Sequence, residues 1–508
     1  MECLPVKHFV ALLSLLLATL IGPQATARET RPAPEFPASL QWLNVSRPIT
    51  LKDLRGKVVI LDFWTYGCVN CMHIIPDLKK LEKKWGNKIA IIGVHSPKFD
   101  NEKNLETLRK IVVRYDRRHP IVSDVDFDIF RAYGATAWPT IAVVDPAGML
   151  IGGITGEGHY ELLDAITEDL LHKFKGRINS KPLPIALEKE KFKDHLLAAP
   201  EKIAVSDRYV AISDSLHHRI LITDHGGKLI QIVGGKEAGD NVGTPDKARF
   251  HTPRGLAFSD KGIYVADTGN HRIKFINLTT WKTKNIAGTG ENERNRWGHY
   301  IAAETGLSSP WALAYAKPYL YISSAGSHQI WRLNENKGVL ETFAGFGDED
   351  LRDGDLRHSA FAQPSGLSLL GDKLYIADAE DSAVRVIDLK KKTVRTLIGE
   401  GLFDWGDRDG GFPKAELQHV TGITALNRRY LIIADTYNHK LKRLDLKKKT
   451  VRTLLGNGKP GKNGLRELNE PAGLALLDGK ILATDTNNDR ILMLDANAGK
   501  VKEFRIHK

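Results

Sequence analysis

The length, composition and charge of the sequence exclude several classes of protein. With 508 residues the chain is longer than one ordinary hydrophobic core, so we expect two or three domains. Its 42% hydrophobic and 26% charged residues are typical of a globular protein, and no later apolar stretch is long enough to span a bilayer. The net charge of +12 indicates a basic soluble surface, because the export signal described next argues against a nucleic acid partner.

The first residues have the pattern of a secretory signal peptide. Lys7 precedes an apolar run from Phe9 to Ile21, and Ala25-Thr26-Ala27 forms a small-X-small cleavage site. We therefore assign residues 1–27 as a signal peptide and the Pro-rich residues 28–37 as an extended spacer. An uncleaved membrane anchor is the alternative, although the run is short for a span. Under both interpretations the rest of the chain is exported, to the periplasm or the extracellular space. If the signal peptide is cleaved, we expect the mature protein to contact membranes peripherally at most.

Cysteine usage indicates chemistry rather than structural cross-links. The chain has three cysteines, and Cys3 lies in the predicted signal peptide, so the mature protein keeps Cys68 and Cys71. A secreted protein stabilised by disulfides would carry more pairs that close longer loops. We predict that Cys68 and Cys71 form a redox-active disulfide.

Strand and helix patterns alternate between residues 38 and 176, which we assign to one α/β domain. The apolar run Val58–Trp64 predicts a strand that leads into the cysteines and a helical pattern. The later elements are a strand at 89–94, a helix at 104–115, a strand at 121–122, a helix at 127–133, a hairpin of strands at 141–144 and 150–154, and a helix at 160–174. Such alternation is typical of parallel β-α-β units. Residues 177–199 are expected to form a linker.

A repeat with a period of roughly 50 to 57 residues occupies the rest of the chain, residues 200–508. The clearest element of the repeat is a strand that ends in an acid, followed by a polar turn. The six copies begin at Ile212, Val265, Ile322, Ile376, Ile433 and Ala483. Four short strands per unit are the pattern of a β-propeller, in which radial repetition leaves few exposed edges. We therefore predict an all-β propeller of six blades.

The repeats resemble the NHL family. An Asp, an Asn-His-Arg turn and a Gly-Leu-Ala strand recur together, as in Asp267–Arg272 and Gly255–Ala257. Blade three departs from this pattern with Ser324 in place of the Asp, and blade four lacks the His and the Arg. We expect the turns of these two blades to be held differently.

Histidines at the blade turns allow two interpretations. They are His217, His218, His271, His328 and His439. Because some NHL-type propellers hold a catalytic metal, a metal-dependent hydrolase or lyase in the propeller is one alternative. Recurrence at one blade position favours instead the same turn hydrogen bond in each blade, since an active site needs different residues that converge. We predict no metal site in the propeller.

The Cys-X-X-Cys pair follows a buried strand and places one sulfur at the start of a helix. Backbone N–H groups and the helix dipole stabilise a thiolate there, and we assign it to Cys68. Cys71 lies one turn further in and can attack Cys68 to resolve a mixed disulfide. Half of a zinc site has the same spacing, but the other ligands would have to be His73 or distant histidines. We expect neither a metal nor a cofactor beyond the cysteine pair.

The segment Leu61–Pro76 resembles the thioredoxin family, most closely its exported or membrane-tethered reductase-like members. The resemblance implies that Asp62 is the buried acid that exchanges a proton with the inner thiol. It implies that Pro76 is the proline that kinks the active-site helix. Asp62 could otherwise be a solvated acid at the end of the strand, and Pro76 could be an ordinary helix interruption. The dipeptide Val69-Asn70 differs from the Gly-Pro of cytosolic thioredoxins, so reductase, oxidase and isomerase activities all stay open.

The same resemblance implies a substrate-binding segment at Trp138, Pro139 and Thr140. Pro139 matches the cis-proline that faces the cysteines, which would leave the Trp138 backbone available to pair with an extended substrate. Trp138 could otherwise be a core aromatic residue.

The order of the domains resembles the NHL repeat-containing protein 2 family over nearly the whole mature chain. We predict an exported thiol-disulfide oxidoreductase. Its partners would be a protein thiol or disulfide substrate, a redox partner and a protein bound by the propeller. A non-catalytic scaffold with vestigial cysteines is the alternative from a different functional class.

Overall fold

A computed structural model describes residues 31–191 and 195–508 of the chain. The predicted signal peptide, residues 1–27, lies outside the described residues. Within these described ranges, no helix is long and apolar enough to cross a membrane. The described chain forms an α/β domain followed by a six-bladed β-propeller, as the sequence predicts.

A seven-stranded mixed sheet forms the centre of the first domain. Its strands are β1 (Arg31–Pro32), β2 (Gln41–Leu43), β3 (Val58–Trp64), β4 (Ile89–His95), β5 (Ile121–Ser123), β6 (Thr140–Val144) and β7 (Met149–Thr155), in the order β1-β7-β6-β3-β4-β5-β2. The α-helices are α1 (Val69–His73), α2 (Ile75–Trp85), α3 (Leu105–Arg114), α4 (Asp128–Ala132) and α5 (Tyr160–Lys173), and the 3₁₀ helices are Gly86–Lys88, Asp100–Lys103 and Glu188–Lys191. Strands β3, β4 and β5 are parallel, whereas β6 runs antiparallel to β3. This is a thioredoxin-like arrangement.

Strand β3 is buried on both faces and carries the chain directly to the cysteines. All seven of its residues are buried. Leu61 and Phe63 pack into one apolar cluster, and Val58 and Ile60 pack into another. Because side chains alternate along a strand, the two clusters lie on opposite faces of the sheet. The turn that follows β3 is therefore anchored in the core of the domain.

The helix after the cysteines is interrupted where Pro76 was expected to kink it. Helix α1 ends at His73, and α2 begins at Ile75 with Pro76 as its second residue. A proline has no N–H to donate to the preceding turn, but it is tolerated in the first turn of a new helix.

Residues 31–37 correct the expectation of an extended spacer. Strand β1 pairs antiparallel with β7, and Ala33 and Phe36 pack into the core. Prolines favour an extended chain, and here that chain adds an edge strand to the sheet. Part of the predicted linker, residues 177–199, also packs on this domain through Ile185. The first domain therefore includes residues on both sides of the predicted boundaries.

Six antiparallel sheets form the propeller. Blade one has β8 (Pro200–Val205), β9 (Val210–Asp214), β10 (Arg219–Thr223) and β11 (Leu229–Gly234); blade two has β12 (Pro253–Phe258), β13 (Gly262–Asp267), β14 (Arg272–Asn277) and β15 (Thr283–Ala287). Blade three has β16 (His299–Ile301), β17 (Pro310–Ala316), β18 (Tyr319–Ser324), β19 (Gln329–Asn334) and β20 (Val339–Ala344); blade four has β21 (Gly354–Asp355), β22 (Pro364–Leu370), β23 (Lys373–Asp378), β24 (Ala383–Asp388) and β25 (Thr393–Ile398). Blade five has β26 (Gly410–Gly411), β27 (Gly422–Ala425), β28 (Tyr430–Asp435), β29 (Lys440–Asp445) and β30 (Thr450–Leu455); blade six has β31 (Pro471–Leu477), β32 (Lys480–Asp485), β33 (Arg490–Asp495) and β34 (Lys500–Glu503).

The end of the chain closes the ring onto blade one. The Leu229 N–H donates to the His507 carbonyl (2.8 Å), and the His507 N–H donates to the Gly227 carbonyl (3.0 Å). These bonds cover the outer edge of the first blade with the last residues of the chain, which protects an otherwise open strand edge.

In five blades an acid at the end of one strand fixes the turn that follows. These strands are β9, β13, β23, β28 and β32. The carboxylate of the acid accepts a backbone N–H from the start of the blade and pairs with a basic side chain. The acid and base pairs are Asp214 with Arg219, Asp267 with Lys274, Asp378 with Arg385, Asp435 with Lys442, and Asp485 with Arg490. In blade three the Ser324 hydroxyl instead donates to the Ser308 carbonyl (2.7 Å). Blade three thus differs as expected, whereas blade four keeps the acid and pairs it with a base seven residues later, as blades two and five do.

A second hydrogen bond joins each blade to the next. The residue that ends each turn has a left-handed backbone, and its side chain accepts a backbone N–H from the following blade over 2.7–3.2 Å. The pairs of acceptor and donor are His218 and Thr252, His271 and Ser309, His328 and Gln363, Ser382 and His419, His439 and Glu470, and Asp489 and Ala199. We call the six donor residues the face positions. Four of the five histidines singled out above therefore make the same hydrogen bond, and His217 binds Asp214 instead.

These inter-blade histidines are held in the neutral form. Nδ1 must be unprotonated to accept, and burial lowers the pKa of His218 and His439 to about 4 and that of His271 and His328 to about 3. The folded-state pKa values lie below the unfolded value of about 6.5. Their contribution to stability is therefore complete above that pH. It is lost as the pH falls from 6.5 towards 4 for His218 and His439 and towards 3 for His271 and His328.

We predict that His218→Asn makes the acid-induced loss of stability shallower. Asn keeps an acceptor oxygen and tolerates the left-handed backbone, but it takes up no proton. The free energy of unfolding, measured by urea denaturation between pH 7 and 4.5, should fall less steeply than in the wild type. His358→Asn is the matched control, because His358 is an exposed histidine whose side chain is 71% accessible. An unchanged slope in His218→Asn would contradict the proposed linkage.

Candidate functional site

The two cysteines lie at the start of α1, and their environments differ. Both are reduced; Cys68 is partly exposed, and Cys71 is 1% exposed. Cys68 is the N-cap of the helix and its Sγ accepts the Cys71 N–H (3.2 Å), while the two Sγ atoms are 2.7 Å apart. Burial raises the pKa of the Cys71 thiol well above its ordinary value, and the neighbouring Cys68 raises it further. The accessible sulfur is therefore Cys68.

Asp62 is fully buried in β3, and it forms an ion pair that the sequence analysis did not anticipate. Its Oδ2 lies 2.6 Å from the Arg117 guanidinium, which also donates to the Cys71 carbonyl (3.1 Å) and stacks on Trp64 (3.9 Å). The negative charge of Asp62 also contributes to the raised pKa of Cys71. The solvated-acid alternative is therefore wrong. Arg117 follows α3 in a run of charged residues, and nothing local in the sequence marks it as buried.

The predicted substrate-binding segment lies beside the cysteines. The Trp138–Pro139 peptide bond is cis. Trp138 is half-buried, stacks obliquely on Phe130 (5.4 Å between ring centres) and packs against the same apolar cluster as Cys68 and Cys71. The Thr140 hydroxyl donates to the Ala137 carbonyl (2.8 Å). The structure thus brings the segment and the cysteines together, and its role in binding substrate stays a prediction.

The loop before Cys68 is held by a buried carboxylate, Glu102. Its Oε1 accepts the Gly67 N–H (3.0 Å), and its Oε2 accepts the N–H groups of Lys98 (2.6 Å) and Phe99 (3.1 Å) and the hydroxyl of Thr65. Burial raises the pKa of Glu102 to about 7, against the lowering effect of these donors. Glu102 therefore fixes the turn between β3 and the cysteines.

The propeller docks on this side of the first domain through the face positions. The Gln363 amide bonds to Gly67 and Val69, Ser309 lies 2.7 Å from His73 Nε2, and Glu470 accepts the Tyr66 hydroxyl (3.0 Å). Ser309, Gln363 and Glu470 belong to blades three, four and six. Sequence reasoning missed these contacts, although one feature marks the face positions. In five blades the face position immediately precedes the proline that begins a strand, and its residue type varies while the proline repeats.

The two domains approach each other closely at Gly67. A Cβ at this position would lie 3.1 Å from Glu102 Oε1, from Glu380 Oε1 and from His419 Cε1. Glu380 also forms a buried ion pair with Lys98. Apolar contacts complete the interface, because Phe99 packs on Trp405 with 4.9 Å between the ring centres.

Part of the space between the domains is open. A cleft of about 1850 Å³ extends from Met72 and His73 across the propeller face, where the face positions Ala199, Thr252 and Ser309 line it. Basic side chains outnumber acidic ones along its walls. Among residues 31–191 and 195–508, no group of three or more His, Cys, Asp or Glu side chains is arranged to hold a metal ion.

Comparison with known proteins gives matches over both domains. The AhpC/TSA family matches residues 30–151, and the NHL repeat family matches residues 250–274. Over 118 residues the chain is 31% identical to Thiol-disulfide oxidoreductase ResA of Bacillus thuringiensis, covering 23% of this chain and 66% of that protein.

Two longer relatives match nearly the whole chain. Protein SUPPRESSOR OF QUENCHING 1, chloroplastic, of Arabidopsis thaliana is 41% identical over 93% of this chain, which spans 47% of that protein. NHL repeat-containing protein 2 of Gallus gallus is 39% identical over 91% of this chain, which spans 70% of that protein. The chain thus spans about half of the plant relative and about two thirds of the animal one. It belongs to the NHL repeat-containing protein 2 family.

Proposed function

We propose that the protein is an exported thiol-disulfide oxidoreductase that uses Cys68 and Cys71, with the propeller as a protein-binding scaffold. The observation that carries the proposal is the asymmetric cysteine pair: a partly exposed Sγ at a helix start, 2.7 Å from a buried one. The relationship to a thiol-disulfide oxidoreductase over the first domain supports it. The signal-peptide pattern in residues 1–27 supports export to the periplasm or the extracellular space.

The exchange runs in two steps. The Cys68 thiolate attacks one sulfur of a substrate disulfide, so the substrate S–S bond breaks and one substrate thiol leaves. Cys71 then loses its proton and attacks the Cys68 sulfur, which forms the Cys68–Cys71 disulfide and releases the second substrate thiol. Two electrons pass from the cysteine pair to the substrate, and a dithiol partner restores the pair. The reverse sequence oxidises a substrate dithiol.

The buried acid has a role in the second step. Cys71 must deprotonate inside the domain, where burial raises the pKa of its thiol. Asp62 is fully buried, and its charge acts on the Cys71 thiol. One of its carboxylate oxygens binds Arg117, and Asp62 Oδ1 has no hydrogen-bond partner among the described residues. We assign to Asp62 Oδ1 the acceptance of the Cys71 proton.

The propeller supplies the second binding surface. The cleft between the domains begins beside His73, two residues after Cys71, and is large enough to take a polypeptide segment. Its basic walls favour an acidic segment of a protein partner.

We predict that Cys71→Ser accumulates mixed disulfides through Cys68. The variant can complete the first step but has no thiol for the second. Incubation with a protein disulfide such as insulin, followed by non-reducing electrophoresis and mass spectrometry, measures the trapped species. Cys68→Ser is the control and should trap almost none, because Cys71 is 1% exposed. Equal trapping through Cys71 would make the assignment of Cys68 as attacker wrong.

We predict that Asp62→Asn slows release of the mixed disulfide by about 10²-fold near neutral pH, the low end of a general-base contribution. Attack by Cys68 should change little. Rapid-mixing measurements from pH 6 to 9 would give the rate of attack by Cys68 and the rate of release in one sample. Partial misfolding would lower both rates together, whereas loss of the base should lower only the rate of release. Asp124→Asn is the matched control, since Asp124 is another fully buried acid of the same domain. Release at the wild-type rate across this pH range would remove Asp62 from the mechanism.

A further inference from the structure

One propeller side chain contacts the backbone on both sides of Cys68. Gln363, at the face position of blade four, is 1% exposed. Its Oε1 accepts the Val69 N–H (2.9 Å), and its Nε2 donates to the Gly67 carbonyl (2.8 Å). The amide therefore bridges the two peptide groups that flank the reactive cysteine.

Gln363 is itself held in one orientation by the propeller. Its backbone N–H donates to His328 Nδ1 (3.2 Å), and its carbonyl accepts the Ser365 hydroxyl (2.8 Å). Its φ of 60° lies in the left-handed region, which a residue other than glycine adopts only where the surroundings fix it. The propeller therefore fixes the backbone that carries the side-chain amide.

We propose that Gln363 is a positioning residue for disulfide exchange, an inference that rests on the proposed function. By fixing the peptide groups of Gly67 and Val69, it keeps Cys68 Sγ turned towards Cys71 Sγ, 2.7 Å away. Holding the two sulfurs together raises the effective concentration of one thiol towards the other. The bridge therefore favours formation of the intramolecular disulfide and the release of a mixed disulfide.

Docking of the two domains does not depend on Gln363 alone. Glu470 accepts from the Asn101 amide (2.9 Å), His439 Nε2 lies 2.9 Å from Asn101 Oδ1, and Lys110 donates to the Asn487 carbonyl (2.6 Å). These contacts lie on elements other than the cysteine loop. Loss of the Gln363 amide should consequently release the loop and leave the interface in place.

The test is the redox equilibrium of the cysteine pair in the full chain. Cyclic dithiothreitol disulfide oxidises the two thiols to the Cys68–Cys71 disulfide and is itself reduced to the dithiol, with transfer of two electrons and two protons. Mass spectrometry after alkylation gives the oxidised fraction. In Gln363→Ala and in Gln363→Met, which is close in volume, the equilibrium constant for disulfide formation should fall about three- to tenfold, the range for one or two lost hydrogen bonds. Release of mixed disulfides should slow by a similar factor.

Gln418→Ala is the matched control. Gln418 is a buried glutamine of the next blade that also accepts a backbone N–H across the interface, from Asn101 (3.2 Å), away from the cysteine loop. Its equilibrium constant should stay within about twofold of the wild type. The inference is overturned if both Gln363 variants stay within that range, or if Gln418→Ala shifts as much as they do. A wild-type protein that forms the disulfide normally but exchanges with no substrate would contradict the proposed function alone.

Discussion

The hydrogen bond from each face position to the preceding blade is the constraint on which the rest of the structure depends. This bond holds the backbone of each of the six face positions in the left-handed region. Their six side chains therefore point towards one end of the propeller. Because the bond uses only a backbone N–H on the donor side, the donor side chain is free to differ from blade to blade. Four of these side chains, Ser309, Gln363, His419 and Glu470, meet the thioredoxin-like domain. Ala199 and Thr252 face the cleft.

The docked propeller changes the setting of the thiol site. Buried charges at the interface fix one relative orientation of the domains: Arg114 lies 3.7 Å from Glu201 and 3.6 Å from Glu470, and Lys98 pairs with Glu380. Removing one member of such a pair leaves an uncompensated buried charge and is strongly destabilising. The orientation brings Gln363 to the cysteine loop. The surroundings of Cys68 are therefore supplied by residues of both domains.

Much of the architecture could be predicted because its signals are local. The apolar run of β3, the alternation that follows it and the six repeats all identify their elements, and the thioredoxin-like motif led to Asp62, Trp138 and Pro139. Residues 31–37 were assigned wrongly because prolines favour the same extended chain in a spacer and in an edge strand. The Arg117 ion pair and the Gln363 bridge could not be derived, since each joins residues far apart in the chain whose meeting depends on packing. The varying residue before the blade prolines was visible, but its meaning required the docked structure.

The proposed function requires that Cys68 and Cys71 form a reversible redox pair. The most direct test is the reduction potential of the purified wild-type protein in thiol redox buffers, together with its rate of insulin disulfide reduction. We predict one two-electron transition to an intramolecular disulfide and reduction of insulin disulfides well above the rate of the Cys68→Ser, Cys71→Ser double variant. A pair that stays reduced in oxidising buffers, or insulin reduction no faster than with that double variant, would contradict the account.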